Sequence, residues 1–140
     1  MMFDYHAAVR GAFFDIAAVA ESADDIARHA RYLEDGVLFL RDGRVQALLP
    51  WQEGERYLHP QKGYRDLRGK LLLPGFVDAH VHYPQTEMIG AFGEQLLEWL
   101  TTYTFPVESQ FADADYAAEI AQFFVNQLLS HGTTTALVFC

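Results

Sequence analysis

The chain has 140 residues, with 10 Lys and Arg against 19 Asp and Glu, giving a formal net charge of −9. This length suits one ordinary domain, and 51% hydrophobic with 21% charged residues excludes disorder as the main state. The acidic balance argues against binding nucleic acid or an anionic membrane. The lone Cys140 allows no internal disulfide, no apolar run reaches the ~18–20 residues of a membrane span, and Met1 to His6 lacks the basic start of a secretory signal; a soluble, cytoplasmic protein is expected.

Val9 to Val19, rich in β-branched and aromatic residues, is expected to form a strand. A short solvated helix is predicted from Glu21 to Leu33, with Ser22 as cap, Asp24 and Asp25 at its positive end and Ile26, Ala30 and Leu33 as a thin apolar stripe. Gly36 to Leu49 reads as a hairpin, because Asp42-Gly43 lies between two apolar runs and suits a turn with positive φ at both positions. Residues 50–63 read as a loop, and Tyr64–Leu67 and Lys70–Leu73 as two short strands around Arg68-Gly69. These elements form a small β-subdomain over 1–73.

The character changes at Pro74-Gly75. Phe76 to His82 reads as a strand, stopped by Pro84. Glu94 to Tyr103 reads as a helix, and a second helix capped by Asp113 or Asp115 runs to Gly132. Thr133 to Cys140 is a β-branched, apolar strand. Strand, helix and strand in this order make a βαβ unit over 74–140, the signature of a parallel sheet covered by helices. A lone parallel pair leaves edges and faces open, so the chain reads as truncated.

The chemistry concentrates on the strand at 76–82. Side chains alternate across a strand, so Val77, Ala79 and Val81 share an apolar face, expected to pack under helices. Asp78, His80 and His82 share the other face, where a buried parallel strand would ordinarily be apolar. Two imidazoles two residues apart at a strand's carboxyl end can converge on one metal ion, with Asp78 one pleat deeper to orient a histidine. Two partly exposed histidines near a strand end are the plainer alternative, but the Pro-Gly entry and the polar inward face favour a metal pair. Trp99, Leu100 and Phe105 could wall a planar ligand, although their helical spacing favours a core role. Glu94 and Glu98 share a helix face, which is commonplace for exposed carboxylates, and His6, His29, His59 and His131 have no neighbour at ligand spacing.

The run Leu73-Pro74-Gly75-Phe76-Val77-Asp78-Ala79-His80-Val81-His82 resembles the first barrel strand of the amidohydrolase superfamily, and His131-Gly132-Thr133-Thr134-Thr135 resembles its entry to the second. Tyr83-Pro84-Gln85, Gly93 to Leu100 and Tyr103-Thr104-Phe105-Pro106 are similar to the guanine deaminases of that superfamily, and this likeness runs through the whole chain. The resemblance implies an α/β fold: a small β-sandwich subdomain followed by the start of a metal-dependent (β/α)8, TIM-like barrel. It implies zinc-dependent hydrolytic deamination of guanine to xanthine and ammonia, with His80 and His82 as zinc ligands. It assigns His82, Tyr83, Pro84 and Gln85 to the substrate, with the Gln85 carboxamide, both acceptor and donor, reading the base edge. A homodimer is also implied. The family's further metal ligands and its proton-shuttling glutamate have no counterpart in these 140 residues, so the chain alone is expected to be inactive and to bind zinc weakly. Two rivals stand beside this reading: another purine or triazine aminohydrolase of the same superfamily, and a non-catalytic fragment acting as an interaction module.

Overall fold

The computed structural model describes residues 4–140; the reading of a leaderless start falls in part on Met1 to Phe3, outside the described residues. The chain divides between Pro74 and Gly75 into two compact units.

In the first unit β1 (Ala7–Ile16), β2 (Ala30–Arg41), β3 (Arg44–Pro50) and β4 (Arg65–Leu72) form one sheet in the order β3-β2-β1-β4. Neighbours are antiparallel except β1 and β4, which run parallel. Asp42 and Gly43 close the hairpin between β2 and β3 with φ of 49° and 71°, the pair of positive values that makes the turn follow the twist of its strands.

Helix α1 (Ala23–His29) starts where its cap predicts, the Ser22 hydroxyl accepting from the Asp25 N–H at 3.1 Å. It ends four residues before the expected Leu33. Residues 30–33 instead pair with 13–16 of β1, and Arg31 donates two hydrogen bonds to Asp15 at 2.8 and 2.5 Å. Cross-strand pairing outweighs weak helical periodicity here. The expected loop at 50–63 opens with a helical turn, α2 (Trp51–Gly54), and a 3₁₀ turn over Glu55–Tyr57. A glycine is needed at 54 because a Cβ would lie 2.1 Å from Val37 Cγ1. The two short strands expected at 64–73 are one strand, β4, whose register against β1 jumps: Arg10 opposes Asp66, but Ala12 opposes Leu71. The surplus residues bulge around Gly69, at φ +82°.

Tyr5, Ala8, Val37 and Phe39 are buried together, with Ala47, Leu49, Trp51, Tyr57 and Leu58 packed around them. Polar ties brace this core. The Tyr5 hydroxyl accepts from the His59 N–H at 2.7 Å, and Arg10 donates to both Asp35 oxygens at 2.8 and 2.6 Å while stacking 3.6 Å over Trp51.

The second unit is a βαβ arrangement in which β5 (Phe76–His82) and β6 (Thr133–Phe139) pair in parallel. Between them lie a 3₁₀ helix over Tyr83–Met88, α3 (Leu96–Trp99), a π turn over Leu100–Thr104, α4 (Phe105–Ser109), a 3₁₀ turn over Gln110–Ala112 and α5 (Ala114–Ser130). The helix expected to end at Tyr103 runs on. Proline lacks an N–H and presses on the carbonyl four residues back; the wide turn ahead of Pro106, with the Phe105 N–H bonded to the Leu100 carbonyl, makes room for it. Asp113 caps α5 by accepting from the Asp115 and Tyr116 N–H groups, and Gly132 at φ +87° leads out of it. Ile120 and Phe124 of α5 are buried, as is Met88.

The apolar face of β5 departs from expectation. Val77 is 70% exposed and Ala79 is exposed, so the helices do not cover this face as predicted. Two strands cannot shield both their faces, and α5 spans only part of them. Among the described residues no helix is long and apolar enough to cross a membrane. A mixed sheet followed by a βαβ unit is nonetheless the α/β architecture expected, with its second sheet not closed into a barrel.

Candidate active site

The carboxyl end of β5 carries the site. His80 and His82 point the same way, as a period of two requires, and their Nε2 atoms lie 3.0 Å apart. This survives an irregularity in the ladder. Asp78 opposes Ala136 and Val81 opposes Val138, so β5 holds one residue more than β6 over this stretch. At the bulge the His80 N–H donates to Asp78 Oδ1 at 3.0 Å. Asp78 therefore steadies the backbone of the histidine, where the sequence suggested a hold on a ring. Phe139 of β6 packs against both imidazoles, with ring centroids 4.6 Å from His80 and 5.2 Å from His82.

Two ring nitrogens at 3.0 Å satisfy each other only if one carries a proton and the other a lone pair. Two lone pairs at this distance need a cation between them. Two bonds of about 2.0–2.1 Å at a tetrahedral angle set the nitrogens roughly 3.3 Å apart, so the pair fits a zinc-sized ion with little movement. Among the described residues no group of three or more His, Cys, Asp or Glu side chains is gathered to hold a metal.

Directly after His82, the extended last residue of β5, the chain enters the 3₁₀ helix, and Gln85 lies in its first turn. His82 and Gln85 both line a cavity of about 340 Å³, together with His80, Met88, Trp99 and Phe124. That volume is within the usual range for small-ligand pockets. Tyr83 and Pro84 do not line it. The Tyr83 ring packs edge-on to Phe111 at 5.2 Å and near Phe124 at 6.1 Å, and Pro84 is buried.

Trp99, which helical spacing assigned to the core, lines the cavity with its indole N–H donated to the Ala91 carbonyl at 3.0 Å. Gly93 allows this, since a Cβ there would fall 2.6 Å from Trp99 Cδ1. Gln85 is not a free loop side chain: its Nε2 donates to Glu108 Oε1 at 3.0 Å. Phe124, Phe139 and Glu108 were not singled out from sequence. Only Phe139 left a signal there, being near the end of the partner strand in a parallel unit.

Comparison with known proteins agrees with this architecture. The amidohydrolase family matches residues 71–139. The guanine deaminase of Escherichia coli strain K12 is 50% identical over 132 residues, covering 94% of this chain and 30% of that enzyme. The solved E. coli guanine deaminase superposes with a TM-score of 0.90 at 50% identity over 95% of this chain and 31% of its own, and the Bradyrhizobium japonicum guanine deaminase with 0.80 at 35% identity over 95% and 29%. The chain thus spans about 30% of the length of these relatives. In sequence and in fold it is a homologue of the guanine deaminases of the amidohydrolase superfamily, its match consistent with their N-terminal portion.

Proposed function

We propose that the chain is the N-terminal portion of an enzyme that hydrolyses guanine to xanthine and ammonia, with 1–73 as its β-sandwich subdomain and 74–140 as the first βαβ portion of a (β/α)8 barrel. In this reaction water forms a bond to C2 of the purine, the bond from C2 to the exocyclic nitrogen breaks, and ammonia leaves without any change of oxidation state. The convergence of His80, His82 and Gln85 on one cavity carries the reading, in a chain 50% identical to a guanine deaminase.

His80 and His82 would hold zinc through their facing ring nitrogens. When bound, zinc would supply the Lewis acidity that makes water a nucleophile near neutral pH. Gln85 meets the base edge with its carboxamide, and Trp99 offers a flat apolar wall beside it. Tyr83 and Pro84 act from beneath, their packing fixing the 3₁₀ helix that sets Gln85 one turn from His82. Catalytic zinc sites use three protein ligands, so the 140-residue chain by itself turns over no guanine.

The test is a chimera in which this chain replaces the matching 30% of the E. coli relative. It is expected to release ammonia and xanthine from guanine, and to lose this with His80→Ala or His82→Ala. A folded chimera that binds zinc yet leaves guanine intact, or that deaminates another purine faster, would overturn the assignment.

A further inference from the structure

We infer that Glu108 is a positioning residue that locks the Gln85 carboxamide in one of its two orientations and so sets which purine edge the cavity accepts; this rests on the reading of the cavity as a purine site. A carboxamide can turn over by half a rotation at little cost, exchanging an acceptor for a pair of donors. Left unrestrained, Gln85 would serve a base with a lone pair at the reading position as well as one with an N–H. Glu108 removes that freedom, because a carboxylate only accepts. With one N–H of Nε2 donated to Glu108 Oε1 at 3.0 Å, turning the amide over would set two oxygens against each other, so Oε1 stays the acceptor, with the second N–H beside it, that Gln85 has left for the cavity it lines.

The backbone explains how a residue 23 positions away reaches Gln85. Glu108 lies in α4, just after the π turn at Leu100–Thr104. One residue more per turn advances everything downstream by roughly 100° around the helix axis. The turn that accommodates Pro106 therefore also sets the direction in which Glu108 leaves the helix. Both side chains are half-buried, which shields the bond from water and strengthens it.

An acceptor held toward the ligand suits guanine, whose N1 and exocyclic amine both donate. Adenine is served less well, because its N1 is a lone pair and only its exocyclic amine donates. A base that sets a lone pair opposite the fixed Oε1 leaves two acceptors facing each other, so discrimination at that position follows from the restraint.

The experiment has two readouts on the 140-residue chain, applied to the parent, E108Q and E108A. The first is the NMR signal of the Gln85 side-chain NH2. In the parent, one proton is expected to be shifted downfield by the carboxylate, and that shift is lost in E108A. A Gln85 signal identical in parent and E108A would overturn the pairing. The second is saturation-transfer competition between guanine and adenine. The parent is expected to favour guanine. In E108Q either orientation is satisfied, because the new amide can donate or accept, so the preference should fall about tenfold while the fold is kept. An unchanged preference in E108Q would make Glu108 a merely structural partner. If neither base binds the parent chain, the purine reading fails for it, and the specificity role with it, while the first readout still decides whether the amide is locked.

Discussion

The two units spend their residues differently. In the first, four strands and α2 bury Val37 and Phe39 completely and Tyr5 almost so, and bidentate arginine pairs brace the rim. In the second, two strands and a chain of short helical pieces bury Ile120, Phe124 and Met88 less fully and leave Val77 70% exposed. The histidine pair, Gln85 and the cavity all belong to this thinner unit. Two strands leave apolar faces that α5 only partly covers, whereas four strands and α2 enclose a core, so the unit with the candidate site has less buried apolar area with which to hold itself together.

This contrast can be broken most severely in the first unit. Phe39→Ala removes a ring with no exposure and should cost about 3–5 kcal/mol in denaturant unfolding, whereas Val77→Ala should cost well under ~1 kcal/mol. Comparable losses at the two positions would abolish the distinction. Next comes Gly75→Ala, whose Cβ would fall 1.9 Å from Thr134 Oγ1. Thr134 is β-branched and cannot swing clear, so a loss of about 1–3 kcal/mol is expected, with weakened amide protection along β5 and β6. Asp113→Ala should cost ~1 kcal/mol by freeing the Asp115 and Tyr116 N–H groups at the start of α5, read as early fraying in hydrogen exchange.

The gentlest test is acid. Hydrogen bonds from Arg31, Arg10 and Arg68 hold the Asp15, Asp35 and Asp66 carboxyls below the usual carboxylate value of 3.8, Asp66 to about 2. Carboxylates depressed in the folded state add stability that is complete above the unfolded value and is lost as pH falls through the folded one. All three lie in the first unit, so its unfolding midpoint should drop between about pH 4 and about pH 2. Asp15→Asn should flatten part of that slope, and an unchanged slope would deny the Asp15–Arg31 pair its role.

Features set by a few neighbouring residues were legible in the sequence. Asp42-Gly43 needs only its own φ angles to make its turn, Ser22 and Asp113 need only the next turn of helix, and alternation alone puts His80 and His82 on one side. Gln85 stood out through family resemblance, since a lone glutamine after a proline says nothing by itself. What was not legible depends on distant partners. The helix at 21–33 stops at His29 because residues 13–16 supply a better pairing for 30–33. Trp99 leaves the core role its spacing suggested because Gly93 and Ala91 make a seat for it. The bond between Gln85 and Glu108 depends on a helical phase that only the π turn sets.

The most direct test of the account is zinc binding to the 140-residue chain, followed by calorimetry, with His80→Ala and His82→Ala beside it. The facing nitrogens at 3.0 Å predict one ion per chain, held weakly by two ligands, and binding lost when either histidine is removed. Zinc bound equally well by both alanine variants, or not bound by the parent chain at millimolar metal, would contradict the assignment of this pair as the metal ligands.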